Sequence, residues 1–232
     1  MFQVAIHVEP FKDRDHLSMR TQLQYLIDTY GHHPAFYRTS HGDKHSVPLI
    51  YIYDSYLVGA SQWAEILDKH GEHTVRGTDI DAIFIGLLVE GKHQNEILKA
   101  GFDGFYTYFA TNGFTFGSSW KNWPIISQWA KSNNLMFIPS VGPGYIDTEV
   151  RPWNRVNTRS RAGGKYYKES IEKAINTGCK VISITSFNEW HEGTQIEPAV
   201  AKTIPSRKYE DYGPHGPLFY LDLTKQLMKK LS

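Results

Sequence analysis

The sequence predicts an α/β fold built on a parallel sheet. Short apolar runs of strand length, rich in β-branched and aromatic residues, recur six times along the 232 residues. Amphipathic segments of helical length separate these runs, and strands that alternate with helices imply parallel pairing with right-handed crossovers. A content of 41% apolar residues is enough for one sizeable core. We therefore expect a single domain over residues 1–232, without a linker or an internal repeat.

Each predicted element has its own local signal. The predicted strands are apolar runs at residues 2–8, 47–53, 82–88, 102–109, 135–141 and 181–187. The predicted helices lie at 15–30, 61–71, 93–100, 123–133, 165–176 and 218–231, and four of them end near a glycine: Gly31, Gly71, Gly101 and Gly178. In the first helix we expect one buried face formed by Leu17, Leu23, Leu26, Ile27 and Tyr30.

Polar side chains follow most of these strands. The candidate substrate-binding residues placed in this way are Glu9, Asp54, Tyr56, Tyr145 and Asp147, and Tyr108, near the end of the fourth strand, joins them. Active sites of α/β enzymes lie at the carboxyl ends of the strands, so this placement predicts a site there. Asp54 can equally be a turn residue. The Gly142-Pro143-Gly144 turn either bends the chain or admits a sugar close to the backbone.

The sixth strand leads into the most informative segment, which reads Asn188, Glu189, Trp190, His191, Glu192. Residues three apart in one helical turn lie about 5–6 Å from each other, close to the spacing of about 5–5.5 Å between the carboxyl groups of retaining glycosidases. A solvated acidic loop is the alternative, but such a loop has no need of a preceding buried strand. From the residues alone we predict cleavage of a glycosidic bond by a carboxylate pair, with Asn188, Trp190 and His191 contacting substrate. We expect His191 to orient a partner by hydrogen bonding, not to bind a metal.

The segment 151–161 has two interpretations. It holds arginines and amides around an aromatic ring: Arg151, Trp153, Asn154, Asn157, Arg159 and Arg161. These residues form either a polar clamp for a sugar or ordinary surface charge.

Composition limits the classes of partner and the cellular setting that this chain can have. The net charge is +1 and no basic cluster stands out, which argues against a nucleic-acid partner. Cys179 is the only cysteine, so no intrachain disulfide can form. No apolar run approaches the roughly 20 residues of a membrane span. Residues 1–10 lack the charged region and cleavage site of a signal peptide. We expect neither a metal nor a cofactor, and the sequence gives no oligomeric state.

Several long motifs resemble one family. They read HVEP (7–10), YIYDSY (51–56), GFDGFYTYFATNGFTFGSS (101–119), IPSVGPGYIDT (138–148), RPWNRVNTRSR (151–161), GKYY (164–167) and NEWHEGTQIE (188–197). Together they resemble glycoside hydrolase family 99, the endo-α-1,2-mannosidases, over nearly the whole chain. The resemblance implies a (β/α)8 TIM barrel, of which the six predicted strands would be strands three to eight, an incomplete barrel without its first two units.

The resemblance also implies roles for individual residues. Glu192 matches the family's general acid/base. Glu189 matches the carboxylate that removes the proton of the mannose 2-hydroxyl, which then forms a 1,2-anhydro sugar with net retention; in the usual retaining scheme the second carboxylate is itself the nucleophile. Glu9, Tyr145, Arg151 and Trp153 fall in segments that resemble sugar-binding loops.

The substrate implied by the resemblance is an internal α-1,2-mannosidic bond of a glucosylated high-mannose N-glycan, trimmed in the Golgi. Three hypotheses remain open. The first hypothesis is that the chain is an endo-α-mannosidase. The second is an inactive sugar-binding or regulatory fragment that cannot close its barrel, and the third is a barrel enzyme that cleaves another glycan. We also expect exposed sheet edges where the first two strands are missing.

Overall fold

The computed structural model describes residues 2–205 and 207–231. The chain divides into two compact units: Met1–Tyr106 with Trp129–Phe137, and Thr107–Gln128 with Ile138–Ser232. The single catalytic domain expected over residues 1–232 stays a prediction.

Five strands of the first sheet lie side by side, in the order β1 (Ile6–Val8), β3 (Lys44–Ile52), β4 (Ile83–Leu87), β5 (Gly104–Tyr106) and β6 (Met136–Ile138). β1, β3, β4 and β5 pair in parallel, with Ile50 opposite Ile6 and Gly104 opposite Ile85. β2 (Arg38–His41) adds an antiparallel strand to β3. The predicted parallel sheet is therefore present, with one antiparallel strand that the sequence did not indicate.

The helices of the first unit are α1 (His16–Tyr30), α2 (Ala60–Leu67) and α3 (His93–Ala100), and α4 (Trp123–Ser132) is divided between the units. Asp15 caps α1, because its carboxylate accepts a hydrogen bond from the Ser18 amide at 2.7 Å. The buried face of α1 contains Leu23, Leu26 and Ile27 as predicted, together with Met19. Leu17 and Tyr30 were wrongly placed on it: they are exposed, since a stripe of three to four residues per two turns already fills that face.

The core of the first unit surrounds β4. All five of its residues are buried, as expected for a parallel strand that is covered on both faces. Beside it, Gly104 has no room for a side chain, because a Cβ there would lie 2.5 Å from the Met136 carbonyl oxygen.

A buried charge network anchors the amino ends of β3, β4 and β5. Lys44 Nζ lies 3.3 Å from Asp81 and 2.8 Å from Asp103, and Arg76 Nη1 lies 3.1 Å and 3.0 Å from the same two carboxylates. Two cations thus balance two anions that are largely withdrawn from solvent. Such a network holds the strand starts in place and leaves the carboxyl ends to carry chemistry.

The second unit contains two small sheets. β7 (Ser140–Val141) pairs in parallel with β8 (Ser183–Ile184), and β9 (Thr203–Ile204) forms an antiparallel hairpin with β10 (Arg207–Lys208). Its helices are α5 (Lys165–Ile175) and α6 (Phe219–Met228). They are joined by a hydrogen bond of 2.8 Å between the hydroxyl groups of Tyr167 and Thr224.

Two strand predictions need correction, and one hairpin was missed. The sixth run, 181–187, was expected to form a buried strand, but only Ser183–Ile184 is extended in a sheet, and Phe187 is 55% exposed. In the described residues β8 pairs on one side only, with β7, so the run is half-buried. Pro139, which has no N–H to donate, divides the fifth run between β6 and β7. The β9–β10 hairpin was not predicted. Across residues 2–205 and 207–231, no helix has the length and apolarity that membrane crossing requires.

Candidate active site

Glu189 and Glu192 lie on one short turn after β8. The segment 186–197, here called the glutamate loop, contains a single 3₁₀ turn at Trp190–Glu192. The Glu189 amide donates to Ser186 Oγ at 3.0 Å, and the Ile146 amide donates to the Glu192 carbonyl oxygen at 2.8 Å. Gly193 ends the turn with φ of +60°, a conformation that favours glycine. The backbone is therefore held on both sides of the two carboxylates.

The glutamate loop forms one wall of a cavity of about 820 Å³, a size typical of ligand sites. Charged and polar residues line one part of it: Arg151, Asn188, Glu189, Trp190, His191 and Glu192. The other part is mostly apolar and includes Val200, Ile204 and Tyr209, which come from the hairpin and its flanks. The predicted carboxylate pair thus opens onto a space with a polar side and an apolar side.

Arg151 links Glu192 to a second carboxylate. Its Nη1 donates to Glu192 Oε1 at 2.7 Å and to Asp147 Oδ2 at 3.0 Å. The two anions raise the pKa of the Arg151 guanidinium further above its ordinary value, chiefly through the hydrogen bond to Glu192. The cation is therefore permanent, and it fixes the orientation of the Glu192 carboxylate.

Asp147 is the buried centre of this cluster, with its side chain fully withdrawn from solvent. Oδ2 accepts hydrogen bonds from Tyr145 Oη at 2.7 Å and from Asn154 Nδ2 at 3.1 Å, in addition to Arg151. Burial alone would raise the pKa of Asp147, but these three hydrogen bonds outweigh burial and lower the pKa. Burial and the hydrogen bond to Asp147 raise the pKa of Tyr145, so its phenol stays protonated. Within the described residues Asp147 Oδ1 has no hydrogen-bond partner.

The aromatic residues of the glutamate loop contact the chain that follows. Trp190 Nε1 donates to Glu197 Oε1 at 2.6 Å. The Tyr209 hydroxyl lies 3.4 Å from His191 Nε2, and the Tyr209 ring meets both the Trp190 and the His191 rings edge-on. His191 thus has a hydrogen-bonding neighbour. No group of three or more potential metal ligands occurs among residues 2–205 and 207–231.

The segment 151–161 divides into exposed and buried parts. Trp153 is 80% exposed, whereas Asn154 is buried against Tyr145 and Asp147. Arg159 donates to the Asn112 carbonyl oxygen at 2.8 Å and Arg161 is 6% exposed, so neither is an ordinary surface charge and neither lines the cavity. The Gly142-Pro143-Gly144 turn is closely packed, because a Cβ on Gly142 would lie 2.3 Å from the Ala110 Cβ. Close packing accounts for Gly142, and the approach of a sugar to this turn stays a prediction.

Tyr108 belongs to the same unit and is held in a strained conformation. Its φ is +56°, in the left-handed region that residues other than glycine rarely adopt. The Tyr108 amide donates to Ser140 Oγ at 2.6 Å and its carbonyl oxygen accepts from Thr185 Oγ1. Strained residues of this kind persist only where their surroundings hold them, and the contact of Tyr108 with substrate stays a prediction.

The first unit holds the other three predicted residues, Glu9, Asp54 and Tyr56. Glu9 Oε1 lies 3.0 Å from His7 Nδ1, and His7 Nε2 lies 2.7 Å from the Tyr106 hydroxyl. Burial lowers the pKa of His7 and so favours the neutral imidazole, whereas the charge of Glu9 and its hydrogen bond act in the opposite direction.

Asp54 and Tyr56 contact each other. Asp54 has φ of +47° and accepts a hydrogen bond from Tyr56 Oη at 2.8 Å. Burial, followed by that hydrogen bond, raises the pKa of Tyr56 to about 12. Asp54 is therefore a turn residue, as the alternative interpretation held, and it is also the hydrogen-bond partner of the predicted site residue Tyr56.

Tyr209 and the hairpin were missed. Two-residue strands such as Thr203–Ile204 carry no periodicity that a sequence reading could detect. The one sequence signal for the apolar side of the cavity is that Val200, Ile204 and Tyr209 lie close together in the chain, shortly after the two glutamates.

Comparison with known proteins identifies the family and the fold of this chain. The family model of Glycosyl hydrolase family 99 matches residues 1–232. A mouse protein, the glycoprotein endo-alpha-1,2-mannosidase-like protein, is 55% identical over 97% of this chain and 50% of its own length. The glycoprotein endo-alpha-1,2-mannosidase of mouse is 54% identical over 99% of this chain and 50% of its own length. The chain spans about half the length of the curated relatives it matches.

A solved structure agrees with the fold. The GH99 endo-alpha-mannosidase from Bacteroides thetaiotaomicron superposes with a TM-score of 0.93 at 50% identity, covering 99% of this chain and 66% of that one. The fold is therefore the α/β fold of the TIM-barrel type that was predicted, and the described residues form part of such a barrel. The class that fold and site define is that of glycoside hydrolases. Within that class, the chain belongs to glycosyl hydrolase family 99, as the resemblance predicted.

Proposed function

We propose that this chain cleaves internal α-1,2-mannosidic bonds of oligosaccharides by acid/base catalysis. The observation that carries the proposal is the position of Glu189 and Glu192 on one short turn that lines a cavity of about 820 Å³. The printed name of the mouse relative, glycoprotein endo-alpha-1,2-mannosidase, supports the bond specificity.

In this proposal Glu192 is the general acid/base. As the acid it protonates the leaving glycosidic oxygen, and afterwards it removes a proton from the attacking water. Arg151, which donates to Glu192 at 2.7 Å, orients the carboxylate and is itself held by Asp147. Tyr145 stays protonated and can donate a hydrogen bond to a sugar oxygen when its bond to Asp147 opens.

Glu189 carries the other half of the reaction by one of two routes. In the first, its carboxylate removes the proton of the mannose 2-hydroxyl, the hydroxyl oxygen attacks the anomeric carbon, and the leaving oxygen takes the proton of Glu192. Water then opens the resulting 1,2-anhydro sugar. In the second route the Glu189 carboxylate attacks the anomeric carbon itself. Both routes displace twice at one carbon and so give net retention.

We propose a glucosylated high-mannose N-glycan, carried by a glycoprotein, as the substrate and the Golgi as the compartment. Asn188, Trp190 and His191 line the cavity beside the glutamates and contact the sugar in this proposal. Tyr108, Trp153, Glu9, Asp54 and Tyr56 complete the proposed binding residues. No nucleic acid, metal or cofactor takes part in it.

The test is to incubate the purified chain with such a glycan and to follow the released oligosaccharide by mass spectrometry. We expect Glu192→Gln to lower the rate by about 10²- to 10⁴-fold with an unchanged circular dichroism spectrum. Glu149→Gln, at an exposed glutamate outside this cavity, is the matched control and should keep the wild-type rate. Retained hydrolysis in Glu192→Gln would contradict the assignment. Binding of the glycan without cleavage by the wild-type chain would favour an inactive sugar-binding role.

A further inference from the structure

Arg161 places a buried positive charge directly behind the glutamate loop. The residue is 6% exposed, and its Nη2 donates to the carbonyl oxygens of Gly193 at 2.9 Å and Gln195 at 2.8 Å. Its Nε donates to Glu210 Oε2 at 3.1 Å. One guanidinium therefore ties two carbonyl groups of the glutamate loop to the chain that follows the hairpin.

Two aromatic rings pack against the Arg161 guanidinium. The Arg161 Cζ lies 5.3 Å from the centre of the Tyr212 ring and 4.7 Å from that of Tyr220. Such cation–π contacts, with Glu210, offset part of the large cost of burying a charge. Nη1 has no hydrogen-bond partner within the described residues. A buried arginine held in this way is fixed in one orientation.

The neighbours of Arg161 hold the same stretch of backbone. The Tyr212 hydroxyl donates to the carbonyl oxygens of Gln195 and Glu197, and Gln195 Nε2 donates to the Glu210 carbonyl oxygen at 2.7 Å. Gly144 leaves room for the arginine, because a Cβ there would lie 2.7 Å from Arg161 Cγ. The carbonyl groups of Gly193, Gln195 and Glu197 thus all accept hydrogen bonds from Arg161 or Tyr212.

This arrangement bears on the catalytic pair through the backbone. Gly193 follows Glu192 directly, and the Glu192 carbonyl oxygen already accepts from the Ile146 amide at 2.8 Å. With Arg161 on the next carbonyl, the two peptide units that directly follow Glu192, one on each side of Gly193, are both held. A displacement of about 1 Å at a reacting group can cost about 100-fold in rate, so this fixation matters.

We infer that Arg161 is a positioning residue, which sets the placement of Glu192 by holding the carbonyl groups of Gly193 and Gln195. The inference rests on the proposed function for its consequence in catalysis, but the positioning itself can be measured without activity. Arg161 touches no substrate in this proposal and acts only through the glutamate loop.

The experiment compares Arg161→Lys with the matched control Arg159→Lys. Arg159 also binds carbonyl groups, those of Asn112, Val156 and Thr158, but none in the glutamate loop. Lysine keeps the charge and loses the planar fork. Hydrogen exchange is followed by mass spectrometry in peptides that cover 186–197. The values of kcat and KM are measured on the glycan and normalised to the folded fraction from circular dichroism.

We expect Arg161→Lys to speed exchange in 186–197 by about 10-fold and to lower kcat by about 10- to 100-fold, with KM changed less than about 2-fold. Arg159→Lys should leave both unchanged. If hydrogen exchange in the glutamate loop is as slow in Arg161→Lys as in the wild type, the inference is overturned, whatever the activity. An inactive wild-type chain would refute the proposed function while the exchange comparison still decides on positioning. Should Arg161→Lys fold poorly, Tyr212→Phe keeps the ring and must speed exchange at 195–197.

Discussion

Asp147 is the residue on which the geometry around Glu192 depends. It is a buried carboxylate with three hydrogen-bond donors, one of which is the arginine that orients Glu192. Asp147→Asn keeps the shape of the side chain but removes the charge and turns one acceptor into a donor. We expect a loss of about 1–3 kcal/mol in the free energy of unfolding and a fall of about 10-fold in kcat/KM.

The pH dependence of stability tests the same residue. Because the folded pKa of Asp147 is lowered, its contribution is present above the unfolded pKa of about 3.9 and is lost as the pH falls through the folded value. Urea unfolding at several pH values should show a smaller loss on acidification in Asp147→Asn than in the wild type. Equal losses in both proteins would show that Asp147 is not the charge that its hydrogen bonds indicate.

Trp153 provides a test of substrate contact that is separate from stability. Its side chain is 80% exposed, so truncation removes little packing. We expect Trp153→Ala to change the free energy of unfolding by less than about 0.5 kcal/mol. If the ring stacks on a sugar as predicted, KM should rise by about 3- to 10-fold. Trp123→Ala is the contrast: that ring is 1% exposed, and its loss should cost about 3–5 kcal/mol.

At the scale of elements, the connection from β4 to α3 depends on a neutral histidine. His93 Nδ1 accepts hydrogen bonds from the amides of Val89 and Glu90, and the Tyr56 ring stacks on the imidazole with the centroids 4.8 Å apart. An imidazolium cannot accept these bonds. Burial lowers the pKa of His93 in the folded state, so the unfolded chain binds more protons below about pH 6.5.

The stability of the folded chain should therefore rise with pH between about 5 and 7. We expect His93→Asn to reduce this slope, because the variant has no imidazole to protonate. The measurement is the midpoint of urea unfolding across that range. His70→Asn, at an exposed residue, is the control and should keep the wild-type slope. An unchanged slope in His93→Asn would exclude the imidazole as the origin of the effect.

The elements that the sequence predicted well carry their own boundary signals. α3 begins and ends where it was placed, because Gly101 adopts φ of +83° directly after it. Strand limits were less accurate, since the length of a strand depends on partners far away in the sequence. The run at 181–187 has strong strand propensity, yet only the two residues opposite Ser140 and Val141 pair in a sheet.

At the scale of the whole molecule, residue type and position after a strand were enough to propose the glutamate pair, Tyr145 and Asp147 as site residues, and the family resemblance added Arg151. The structure brings these five residues together around the glutamate loop, and their roles stay predictions. Arg161 was not separated from surface charge, because its burial depends on the rings of Tyr212 and Tyr220, about fifty residues later in the chain. Contacts at that distance follow from the fold and cannot be read from local pattern.

The charge balance of the molecule leads to a prediction about salt. The net charge is +1 and the proposed substrate is a neutral oligosaccharide, so long-range attraction contributes little to their encounter. The Arg151–Glu192 pair is partly shielded from solvent and is screened less than an exposed pair. We expect kcat/KM for a glycan to change by less than about 3-fold between about 50 mM and 500 mM salt.

A steep loss of kcat/KM with salt would contradict this reasoning, because it would require several ionic contacts with the ligand. A variant with an added charge in the cavity wall is the control for the salt dependence of kcat/KM. Val200→Lys adds a cation at an exposed position of the cavity wall and should leave the salt dependence flat for a neutral glycan. If instead the wild type bound a polyanion tightly at low salt, the partner would be anionic, and both the exclusion of nucleic acid and the proposed glycan substrate would have to be abandoned.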